Sequence, residues 1–139
     1  MTHPMLAPVV ALILWSMVMW AWLYATRLPA MMRLKIVYDP LRPKAEFLDR
    51  IPPRVTWKAD NYNHLMEQPT LFYAVAITLA IVAPTDVTNI ALAWGYVGLR
   101  VVHSLVQALV NHIPARFMLF MLGSILLLAL AIRAACVVF

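Results

Sequence analysis

Two stretches decide how this chain folds: DNYNHLMEQPTLFY, residues 60–73, and WGYVGLRVVHSLVQ, residues 94–107. Both lie in apolar runs long enough to cross a bilayer, yet both carry ionisable side chains. The first holds Glu67 and the second Arg100 and His103, with Arg116 following shortly after. A charge within the hydrocarbon costs at least a few kcal/mol, so residues of this kind face a pocket, a pathway or another chain.

Composition agrees with a membrane chain. Hydrophobic residues make up 64% of the 139 positions, charged residues 12%, and the mean hydropathy is +0.81. Four apolar runs, 5–26, 62–83, 90–110 and 117–138, each match the ~20 residues that a helix needs to cross ~30 Å of hydrocarbon. The expected fold is an all-α membrane protein, a single domain over 1–139 built as a four-transmembrane-helix bundle. Three glycines and no sustained alternation argue against a β-barrel.

Charge placement sets the expected orientation. Residues 27–59 hold eight of the eleven Lys and Arg, whereas the loop APTDVTN, residues 83–89, holds none. The positive-inside rule then places the 27–59 loop in the cytoplasm and both termini outside, as in a multi-pass membrane protein. The net charge of +5 is accounted for by that loop, so no nucleic-acid partner is implied. Five prolines punctuate it, with short amphipathic pieces expected near 31–37 and 45–50. The single cysteine, Cys136, excludes an intrachain disulfide.

Helix rise brings the polar residues to one depth. Glu67 and His103 lie about 10 Å from the inner edge, and Arg100 about 15 Å. Arg100, His103, Ser104, Gln107 and Asn111 form one helical stripe; Asp60, Asn63, His64 and Glu67 form a second. Stripes matched in depth should face each other or a neighbouring subunit, and Arg100 is the expected partner of Glu67. Pro69 cannot donate to the carbonyl of Leu65, so a kink is expected there. Arg133, in the outer third of the last run, reads as a snorkelling or oligomer-contact residue. Glu67 is the one acid within the apolar runs, which is too few carboxylates for a di-iron bundle, and no metal site is expected.

The order N-x-x-x-E-x-P-x-x-F (63–72), R-x-x-H (100–103) and then Arg116 resembles the MAPEG family, the membrane-associated proteins in eicosanoid and glutathione metabolism. The resemblance, to a diverged bacterial-type member, implies a homotrimer of four-helix subunits with glutathione bound between neighbours near the cytoplasmic face. It implies that Arg116 stabilises the glutathione thiolate as the catalytic residue. Glu67, Asn63, His103, Arg100 and Gln107 would line the glutathione site, with Arg27 or Arg33 as the arginine of the first helix. An apolar, lipid-soluble second substrate would enter from the bilayer. This chain has Asn63-His64 where the family has Arg-Asn, Gln107 where it has Tyr, and Phe117 where a hydroxyl often follows the Arg. The alternative reading is a non-catalytic trimeric scaffold or an accessory subunit of a larger membrane complex.

Overall fold

The computed structural model describes residues 3–139, and the described residues are all helix and connecting turn. Six helices follow in order: α1 Ala7–Arg33, α2 Lys44–Leu48, α3 Pro53–Leu65, α4 Pro69–Val82, α5 Val87–Leu109 and α6 Ile113–Val138. Three helical stretches, Ala7–Arg33, Pro53–Val82 and Ile113–Val138, are long and apolar enough to cross a membrane. The 23-residue α5 is of similar length, but its polar stripe keeps it below that standard of hydropathy. The chain is thus an integral membrane protein by its apolar helices, and large side chains such as Leu14, Ile81, Ile125 and Leu128 stand exposed along them.

The 27–59 loop is shorter than the sequence implied. α1 continues through Pro29 to Arg33, and α3 starts at Pro53, where a missing N–H is harmless. Apolar length marks only the hydrocarbon-crossing part of a helix and does not reveal the polar turns that continue beyond it. α1 ends in a Schellman motif: Lys35 is left-handed at φ 49°, its N–H donates to Met32 O, and Ile36 N–H donates to Met31 O. Of the amphipathic pieces expected in the loop, 45–50 largely coincides with α2, whereas 31–33 belongs to α1.

The break at Pro69 is real. α3 stops at Leu65, and Met66 and Glu67 donate to carbonyls three residues back, Asn63 and His64, as in a tight 3₁₀ turn. Gln68 then precedes Pro69, the first residue of α4. Despite the break, one buried stripe runs through both helices: Lys58, Asn61, Leu65, Pro69, Phe72, Ala76 and Leu79. It packs on α1, α5 and α6 around a core that includes Leu12, Met19, Leu65, Phe72, Tyr96, Leu127 and Leu130. Phe72 stacks on Tyr96 with ring centroids 4.5 Å apart. α5 and α6 approach closely at Gly95, where a Cβ would lie 3.1 Å from Leu126 Cδ1. Lys58 ties α3 to the C-terminal end of α5 and to α1: Nζ donates to Arg54 O at 2.7 Å and to Ala108 O at 3.3 Å, and lies 5.2 Å from the Trp22 ring. A cation at the carbonyl end of α5 is favoured by the helix dipole.

Candidate functional site

The two polar stripes have opposite fates. Arg100, His103, Ser104 and Gln107 are all buried against the other helices, none more than 3% exposed. Asp60, Asn63 and Glu67 are exposed on the outside of the protomer, and only His64 of that stripe turns inward. The reason is rotational: Glu67 stands two residues from both Leu65 and Pro69, which face the core, so it projects away from it.

The expected Glu67–Arg100 pair is therefore corrected. Among the described residues the ion pairs are Arg42–Asp39 and Arg133–Asp86, and Arg100 has no carboxylate. Its partners are neutral. Nε donates to Tyr96 Oη at 3.0 Å, Nη1 bonds His64 Nδ1 at 3.1 Å, and Nη2 donates to Gln68 Oε1. The guanidinium also lies 5.4 Å from the ring centres of Tyr96 and of Phe120. An arginine only donates, so Nδ1 of His64 accepts and the ring proton sits on Nε2. Gln68 is the hub: its carbonyl also accepts from Tyr96 Oη, and its Nε2 donates to Ser124 Oγ at 2.8 Å. The helix break places this carboxamide among α4, α5 and α6.

Beside the network lies a cavity of about 350 Å³, lined by His64, His103, Ile113, Arg116, Phe117 and Phe120. The His64 and His103 rings are 4.8 Å apart, and Phe120 meets His64 edge-on. Arg116 comes from the first turn of α6, whose N-cap is His112; Nδ1 of that ring accepts from Ala115 N–H at 3.3 Å. Its Nη1 donates to Asn111 Oδ1 at 2.5 Å, and its Nε is buried with no partner. The α6 N-terminus carries partial positive charge and Arg116 a full one, so the cavity wall is electropositive.

The structure thus brings His103 and Arg116 to one cavity, with Arg100 behind His64. Within this protomer the other expected site residues lie elsewhere. Arg27 and Asn63 line a separate space of about 100 Å³. Arg33 lines a mainly apolar groove with Pro29 and Val55. Gln107 is buried in the bundle and its Oε1 has no partner, and Glu67 faces outward. Sequence reading missed Gln68, Tyr96 and Phe120. The signal was there for Tyr96, which precedes Arg100 by four on α5 and shares its helix face; Gln68 lies beyond the end of α3, where its spacing from His64 defines no face.

A second polar cluster occupies the other end of α5. Asp86 caps that helix by accepting from Asn89 N–H at 3.0 Å, and its Oδ2 accepts from Arg133 Nη2 at 2.8 Å. Arg133 Nε donates to the buried Asn89 Oδ1. Arg133 thus has an intrachain carboxylate, a partner that its reading as a snorkelling or oligomer-contact residue does not name.

Fold and site together define a helical integral membrane protein whose buried cationic network adjoins a small electropositive cavity. The MAPEG family model matches residues 5–136 of this chain, and the protein belongs to that family. No curated protein and no solved structure matches it.

Proposed function

We propose that this protein binds glutathione, or a closely similar anionic thiol, and activates its sulfur for attack on an apolar substrate delivered by the bilayer. The observation that carries this reading is a cation without a counter-anion: Arg116 lines the cavity, and its Nε is buried and unpartnered. At about 350 Å³ the cavity is near the low end of the ~300–1,000 Å³ typical for small-molecule sites. It can hold the reacting part of a tripeptide, while the rest extends beyond the protomer.

When bound, glutathione supplies a nucleophilic sulfur. Arg116, at the N-terminus of α6, lowers the energy of the thiolate relative to the thiol. His103 offers a ring nitrogen to the peptide. Arg100 adds positive potential from behind His64, with three of its five N–H donors engaged by Tyr96, His64 and Gln68. Glu67 and Asn63 stand on the outer face. Their exposure within an apolar span fits a homotrimer in which a neighbour covers them and Glu67 holds the ammonium end of the tripeptide. In this reading α5 is the fourth span, shielded by α6, and both termini lie outside a bacterial inner membrane.

The test is titration of detergent-purified protein with glutathione, followed by native mass spectrometry and by ultraviolet thiolate absorbance. Binding with a thiolate signal that Arg116→Leu abolishes and Arg133→Leu leaves intact supports the reading. Trimers that bind no thiol would leave the scaffold reading in its place.

A further inference from the structure

The turn between α5 and α6 holds a device that the thiol-binding reading does not use. Asn111, the first residue beyond the α5 cap, is left-handed at φ 55°, and its N–H donates to Val106 O at 2.7 Å. Such a residue commonly terminates a helix. Glycine is favoured there and asparagine comes next. The backbone thus explains the residue in part, but not where its side chain goes. Oδ1 accepts from Arg116 Nη1 at 2.5 Å, across five residues.

Nothing else among the described residues holds that guanidinium. Nε of Arg116 has no partner, and the neighbouring cavity walls Ile113, Phe117 and Phe120 provide no side-chain acceptor. The α6 N-terminus repels a cation in the first turn. A long arginine side chain in this place has several rotamers open to it, including ones that reach out to headgroups.

We propose that Asn111 is a positioning residue that keeps the Arg116 guanidinium at the cavity wall. A carboxamide suits the task because it accepts a charge-assisted bond yet leaves the positive charge uncancelled. The functional consequence rests on the reading of Arg116 as the thiolate-stabilising group. The bond itself can be tested without any thiol.

Two substitutions separate backbone from side chain. Asn111→Gly keeps the left-handed turn and removes the acceptor, whereas Asn111→Asp keeps an acceptor and adds a negative charge. The ligand-free readout is the rate at which phenylglyoxal modifies Arg116, followed by mass spectrometry on the detergent-solubilised protein. The expected result is modification roughly tenfold faster in Asn111→Gly, with slow modification restored in Asn111→Asp. In the presence of glutathione, the apparent thiol pKa should rise by about one unit in Asn111→Gly. In Asn111→Asp the thiolate should stay depleted, because the carboxylate offsets the Arg116 charge. Equal modification rates in the wild type and Asn111→Gly would overturn the proposal. Faster modification in a protein that binds no glutathione would uphold the positioning and refute the thiol reading. A thiol pKa unmoved in Asn111→Gly, despite faster modification, would refute the link between position and thiolate.

Discussion

Arg100, midway along α5, and Arg133, near the C-terminal end of α6, are accommodated in opposite ways. Arg133 meets a carboxylate: Asp86 accepts from it at 2.8 Å, and both side chains are more than a third exposed. That end is electrically closed. Arg100 is 2% exposed, yet its hydrogen-bond partners are a phenol, an imidazole and a carboxamide. Neutral acceptors satisfy the donors and leave the charge. With Arg116 on the cavity wall beyond His64, this part of the molecule keeps a net positive potential that an anion can meet. The comparison separates an arginine that staples helices from one that also charges a site.

The most damaging way to break the contrast is Arg100→Leu. Tyr96, His64 and Gln68 would each lose a buried donor, and the space between the Tyr96 and Phe120 rings would be only partly refilled. The expected loss is about 2–4 kcal/mol, because release of the buried charge offsets part of it. Thermal unfolding in detergent measures this, and an unchanged midpoint would show that the network adds no stability. Gln68 is next. Gln68→Leu removes the acceptor for Arg100 and is expected to cost about 1–3 kcal/mol. Gln68→Glu sharpens the comparison instead, since it gives Arg100 a carboxylate as Arg133 has one. The expected outcome is a stable protein whose glutathione affinity falls about tenfold, the effect of partial neutralisation on an anion site. Undiminished affinity in this variant would mean that the potential around Arg100 does not matter.

These residues also mark how far the sequence could be read. Apolar runs and the depth of ionisable side chains pointed to helices and to the region of the site. The same periodicity that exposed the α5 stripe foretold its burial at Arg100, His103, Ser104 and Gln107. It misled on the partner helix, because Glu67 and Gln68 are adjacent and only the course of the chain through Met66–Gln68 decides which one turns inward. The sequence favours the acid on energetic grounds, since a carboxylate is the obvious counter-ion for a buried arginine. Packing favoured the amide. Helical spacing puts Asn111 on the α5 stripe, but the helix ends before it, and its side chain reaches forward to α6 instead. Asp86 with Arg133 is a contact across 47 residues, to which no local spacing rule applies.

The smallest effect belongs to the Asp86–Arg133 pair, and it depends on pH. The Asp86 carboxyl is held below the usual carboxylate range, first by the hydrogen bond from Asn89 N–H. The Arg133 guanidinium and Thr88 N–H act in the same direction, while partial desolvation opposes them. A depressed native value means that the unfolded chain takes up this proton first as pH falls. The stabilisation from Asp86 is therefore complete above the ordinary aspartate value of about 4, and it is lost as pH drops from there through the native value. Between pH 5 and 8 this group should add no slope to stability. Asp86→Asn should unfold slightly more readily than the parent at neutral pH, and the difference should shrink below about pH 4. Because the pair is exposed, salt should narrow it too. Unfolding midpoints measured across pH for the two proteins give the answer. A difference that persists unchanged into acid would mean that the ion pair is idle and that capping of α5, which an asparagine can partly replace, is all that Asp86 contributes.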